Sequence, residues 1–124
     1  MDFKIIKLLF FVFSISALAQ ETKQYSANEY FKNYALSTCI SDGFQETEVR
    51  ADAAAAARGY LELGDFPLEA HTEAALLGRQ YLKKEYKSNS ESNLTIMKCI
   101  DFYHSIELEN IVKKYANDLS ELEK

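Results

Sequence analysis

Lys98-Cys99-Ile100-Asp101-Phe102-Tyr103-His104-Ser105 gathers one of the chain's two cysteines, one of its two histidines and two aromatic rings into a single short segment. Read as a helix, Cys99 and Tyr103 share a face, Ile100 and His104 share another, and Lys98 reaches Asp101 at i,i+3. The other cysteine, Cys39, lies far upstream. Joined to it, Cys99 clamps this helix to the first helix of the domain and closes everything between them into one loop. Whether the clamp forms depends on the compartment, and the N-terminus addresses that.

Lys4 and Lys7 give a positive start, and Leu8 to Ala17 (LLFFVFSISA) is an apolar run too short to anchor in a bilayer. Ala17-Leu18-Ala19 supplies the small-x-small cleavage pattern, which places residues 1–19 as a signal peptide and 20–124 as the mature domain. Loss of Asp2, Lys4 and Lys7 takes the net charge from −5 to about −6. About 105 residues remain, enough for one domain with a modest core. The acidic balance disfavours nucleic acid, anionic lipid and acidic cell-wall polymers, and suits a basic protein partner. After signal cleavage no second apolar segment holds the chain to a membrane.

Two cysteines in an exported chain are most economically a disulfide. The rival is a pair of free thiols, one of them a nucleophile.

Outward from the opening segment, the pattern is helical throughout. Ser26-Ala27-Asn28-Glu29 is a capping box, and Tyr30, Phe31, Tyr34, Ala35, Cys39 and Ile40 follow it as an apolar face ending near Gly43. A second helix starts around Thr47, with Val49, Ala53, Ala56, Ala57 and Tyr60 as its stripe; its alanine run suggests close approach by a neighbour. Gly64 stops it, and Asp65-Phe66-Pro67 opens a third helix carrying Leu68, Ala74, Ala75, Leu77, Tyr81 and Leu82. Lys83 to Asn93 reads as an exposed loop, its Ser and Asn side chains favouring local backbone bonds, with Asn93 or Ser92 capping the next helix. That fourth helix carries Leu94, Met97, Ile100 and Tyr103 as its apolar stripe, and Ser105 breaks or caps it. Leu108, Ile111, Val112, Tyr115, Leu119 and Leu122 then form the clearest helical pattern of all. The expectation is an all-α single domain of about five helices.

Catalytic equipment is sparse. There is no CxxC, HExxH or GxSxG, and four glycines do not supply a phosphate loop while also stopping helices. His104 and Glu107 stand at i,i+3, a pair common on solvated helix faces, so neither metal nor cofactor is expected. Asp101 pairs with Lys98, His104 answers the helix dipole, and His71 is either exposed or a hydrogen-bonded edge residue. A reactive cysteine beside His104 requires a reduced thiol in an oxidising compartment. The tyrosines fill the core, with about two left as interface anchors.

The order of features resembles the type VI secretion amidase immunity proteins. The likeness runs from Tyr30-Phe31-Lys32-Asn33-Tyr34-Ala35-Leu36-Ser37-Thr38-Cys39-Ile40 through Gly59-Tyr60-Leu61-Glu62-Leu63-Gly64 and Pro67-Leu68-Glu69-Ala70, and on through Tyr81-Leu82 and Tyr86 to Lys98–Ser105 and Leu108. It implies a helical periplasmic protein, often a homodimer, that binds and occludes a cognate peptidoglycan amidase, a cysteine-histidine hydrolase, and does no chemistry itself. Cys39 and Cys99 match the family's cysteine positions, which favours the bridge. The third helix and following loop, around Glu73 to Ser92, are taken as the partner-binding region: Glu73, Tyr86, Ser88, Asn89, Ser90, Glu91 and Ser92. The alternatives are a small periplasmic enzyme built on His104, Asp101 and a free cysteine, and an envelope structural or stress protein with no amidase partner.

Overall fold

A computed structural model describes residues 24–124; the signal peptide read over residues 1–19 lies outside them. Five helices follow in order: α1 (Ala27–Gly43), α2 (Thr47–Leu63), α3 (Leu68–Leu82), α4 (Thr95–Tyr103) and α5 (Ile106–Leu122). No strand occurs among the described residues.

The capping box sets the start of α1. Ser26 Oγ accepts from the Glu29 amide at 3.2 Å, and the Ser26 amide donates to Glu29 Oε2 at 2.8 Å. The other four helices all pack on α1. Its buried positions Phe31, Ala35 and Cys39 recur at i,i+4,i+8, so one stripe faces the common core. The Phe31 ring stacks on Phe66 at 4.7 Å between centroids. Phe102 and Leu108 are wholly buried, each contributing on the order of 2 kcal/mol by removal from water.

Cys39 and Cys99 are joined, with their Cα atoms 5.7 Å apart across a sequence separation of 60. The bond fixes the rotation of α4, and here the structure departs from the sequence pattern. Cys99 must face α1, so Thr95 and Phe102, one turn away on either side, turn inward with it. The stripe expected to be buried is displaced outward: Met97 is 53% and Ile100 47% exposed, with Ile96 beside them. The wholly buried Phe102 ring lies against Gly78 of α3, where an added Cβ would stand 3.1 Å from a ring carbon.

Other expectations change for equally local reasons. The ion pair between Lys98 and Asp101 does not form, because Lys98 Nζ donates to the Leu82 carbonyl at 3.2 Å at the C-terminal end of α3. Neither Asn93 nor Ser92 is the cap of α4: the N-cap is Leu94 at φ 53°, and Ser92 Oγ accepts from its amide at 3.2 Å. α1 does end at Gly43, yet no glycine has a positive φ among the described residues. Gly43 supplies room instead. An added Cβ would come within 2.7 Å of Leu82 Cδ2 and overlap the Thr95 methyl, where Thr95 Oγ1 donates to the Gly43 carbonyl at 3.3 Å. Leu68 and Val49 are exposed, and of the alanine run in α2 only Ala53 and Ala57 are buried. Helix propensity, more than tight packing, accounts for the rest of that run.

Ser105 caps α5, accepting from the Leu108 amide at 3.1 Å, and Leu108, Val112 and Tyr115 form the buried face of that helix.

Three variants check this architecture by their stability. A Cys39→Ala/Cys99→Ala variant is expected to lose roughly 4 kcal/mol in urea unfolding against the oxidised chain, the loop-closure entropy of the bridged segment. Gly43→Ala is expected to lose about 1–3 kcal/mol through overpacking. Gly59→Ala, where an added Cβ meets nothing within 4 Å, should instead gain about 0.5–1 kcal/mol.

Candidate functional site

The segment between α3 and α4 is exposed but internally tied. The amides of Ser90, Ser92 and Leu94 donate in turn to the hydroxyls of Ser88, Ser90 and Ser92 at 3.0, 3.1 and 3.2 Å. Each residue's side chain thus folds the backbone two residues on. Nearer α3, the Tyr86 hydroxyl donates to Asp101 Oδ2 at 2.6 Å, fastening the loop to α4. The Lys98 ammonium lies 5.8 Å from the Tyr86 ring centroid. The hydrogen bond to Asp101, which ionisation of the phenol would forfeit, pushes Tyr86 up to about 12.

Glu73 does not join this group. It sits on α3 facing α5, where Tyr115 Oη donates to it at 2.5 Å and Lys114 Nζ at 2.9 Å. Those two bonds, that from Tyr115 first, hold its carboxyl below the usual range. Roughly 13 Å of helix separates it along α3 from the start of the loop. Tyr81 of α3 makes the reciprocal contact, donating to Glu107 of α5 at 3.1 Å. These phenol–carboxylate ties explain tyrosines that the sequence reading assigned to core filling or interfaces. Their partners lie 15 to 42 residues away in sequence, so no local spacing could have revealed them.

The end of the loop, the first turns of α4 and the corner after α1 enclose an open cleft of about 1050 Å³. Met97, Ile96 and Ile100 present aliphatic surface to it, with Phe44 and Leu94 also lining it. Its charged lining residues are Glu46, Glu91 and Asp101. Glu91 and Ser92 of the expected partner-binding set line this cleft; Tyr86 approaches it through Asp101; Ser88, Asn89 and Ser90 are exposed farther out on the loop.

Both cysteines are consumed in the disulfide, so a cysteine nucleophile beside His104 is ruled out in the oxidised chain. Among the described residues no three His, Cys, Asp or Glu side chains converge as a metal site. His104 ends α4, exposed beside the Tyr103 ring. His71 is neither exposed nor at an edge: it is 1% exposed, with the rings of Phe31 and Tyr34 edge-on at 5.3 and 4.5 Å. Its Nδ1–H donates to the Pro67 carbonyl at 2.9 Å, and Nε2 is buried without a partner. Burial depresses its pKa, outweighing the opposing effect of the Pro67 bond. No helix among the described residues is long and apolar enough to cross a membrane.

The described residues form a disulfide-closed helical domain with an internally tied loop and an aliphatic cleft. Residues 29–112 match the family model described as type VI secretion system amidase immunity protein, Tai4. The chain belongs to that family. Its fold is similar to a chain in the structure of the Tae4/Tai4 effector–immunity system of Salmonella typhimurium, with 38% identity and TM-score 0.70, covering 73% of this chain and 89% of that one. A chain from a structure of new type VI-secreted toxins and self-resistance proteins in Serratia marcescens matches at 25% identity and TM-score 0.68, covering 75% of this chain and 77% of that one. The Tae4–Tai4 complex from Enterobacter cloacae contributes a likeness of fold at 22% identity and TM-score 0.66, covering 72% and 91%. No curated protein matches the chain by sequence.

The neutral, buried state of His71 has a consequence with a definite sign. Its folded pKa lies below the unfolded value of about 6.5, so its contribution is present above that pH and lost as pH falls through the folded pKa. Urea midpoints are expected to drop on going from about pH 7.5 to 5.5, and an NMR titration should place the His71 transition below about 6.5. In an alkaline absorbance titration, the Tyr86→Phe variant should lose one phenol from the late phase near pH 12.

Proposed function

We propose that this protein is a periplasmic immunity protein that binds and occludes a Tae4-type peptidoglycan amidase, protecting the producing cell from effector delivered by its sisters. The observation that carries the reading is the 38% identity, over most of both chains, to a chain of the Salmonella typhimurium effector–immunity structure. The geometry supports it. Both thiols are locked away, and the ordered Tyr86–Ser92 loop and the cleft beside it offer contact surface in place of a reactive centre. Inhibition is by covering the amidase's cysteine-histidine site, without chemistry by the immunity protein and without a cofactor.

Export rests on the Lys4, Lys7 and Leu8–Ala17 pattern with cleavage after Ala19, leaving residues 20–124 as the working domain in the periplasm. That compartment is one in which the Cys39–Cys99 bond forms and persists. The chain acts as a homodimer, as the family resemblance implies. Within the region from Glu73 to Ser92, the side chains of Glu73, Tyr86, Ser88, Asn89, Ser90, Glu91 and Ser92 contact the amidase, Glu73 doing so from α3 while accepting from Lys114 and Tyr115 of α5.

Purified protein should inhibit peptide-stem cleavage by the amidase encoded beside it, with binding detectable well below about 1 µM. Absence of both at micromolar protein overturns the reading. Light scattering after size exclusion measures the dimer.

A further inference from the structure

The exposed aliphatic face of α4 is left without a partner by the same rotation that buries Cys99. Ile96, Met97 and Ile100 are 47, 53 and 47% exposed within little more than one helical turn, and all three line the cleft beside Phe44 and Leu94. Scattered surface aliphatics are ordinary, whereas a cluster set in a concave site marks a place where another molecule seats. Among the described residues no cation pairs with Glu46 or Glu91 on its rim, and no lysine or arginine lines it. α4 also has no side-chain cap hydrogen bond.

These features select among occupants. A second copy seated by two-fold symmetry would bring the same acids face to face, since such an interface is self-matching. A nucleic acid or an anionic lipid surface is repelled by them. A protein segment with a large apolar side chain flanked by lysine or arginine satisfies both the floor and the rim.

Resting on the functional reading above, we infer that this cleft is an anchor site for the amidase effector, taking a cationic segment with a protruding apolar side chain. The aliphatic floor supplies most of the residence time. Glu46 and Glu91 supply steering and register. The anchor does not include the exposed tip of the loop, Ser88 to Ser90.

The experiment measures association and dissociation of the full mature chain with the amidase of the neighbouring gene. Met97→Ser/Ile100→Ser is the floor variant, Glu46→Gln/Glu91→Gln the rim variant, and Ile106→Ser, at a residue 77% exposed on α5, the control. The floor variant is expected to weaken binding about tenfold, mainly by faster dissociation, with thermal unfolding unchanged. The rim variant should slow association and flatten its dependence on salt between about 50 and 300 mM. The control should bind as the unaltered chain does. A floor-variant loss smaller than about threefold overturns the inference alone, as does conversion of a dimer to a monomer at unchanged effector affinity. Failure of the unaltered chain to bind overturns the functional reading, and the anchor falls with it.

Discussion

The bond between Cys39 and Cys99 decides more than the stability of this domain. It couples the C-terminal part of the central helix to a nine-residue helix that has little surface of its own to bury. A helix so short is marginal in isolation, and its orientation is set by what it is attached to. Fixing Cys99 toward α1 fixes Thr95 and Phe102 with it, draws the Phe102 ring over Gly78, and turns Ile96, Met97 and Ile100 outward. One covalent constraint therefore creates both the packed junction of α1, α3 and α4 and the aliphatic surface on its other side.

Around that junction, the arrangement is secured by polar ties that reach across the fold. Tyr115 and Lys114 hold Glu73, Tyr81 holds Glu107, and Tyr86 holds Asp101. The first two sets join α3 to α5; the third joins the loop to α4. A phenol contributes a rigid ring for packing and one donor at its tip, so it spans two elements with little loss of side-chain freedom. The Ser88–Ser90–Ser92 series does the same for the loop at shorter range. A segment already folded on itself loses less entropy when it meets a partner.

Much of the helical framework was legible in the residues. The Ser26–Glu29 capping box, the stop at Gly64, the polar break from Lys83 and the α5 stripe each depend on residues within a few positions of one another. The α4 face was read from hydrophobicity, which favoured Met97 and Ile100 over Cys99 and Thr95; a cross-link outweighed apolar character there. Gly43 was legible as the end of the first helix, but not as a clearance for Leu82 and Thr95, which arrive from distant segments. His71 carried no local sign of its burial between Phe31 and Tyr34 of another helix.

The segment Lys98–Ser105 illustrates the division. By itself the sequence determined that this segment is helical, that the helix stops at Ser105, and that its cysteine has a single possible partner within the chain, because propensity, helix-stop signals and cysteine count are local or countable properties. Only the tertiary structure decided which of its sides faces the core, that Asp101 serves Tyr86 and Lys98 serves Leu82, and that its aliphatics open into a cleft. Those outcomes depend on the rotation of α4 about its own axis, and that rotation is set by a bond to a residue on another helix.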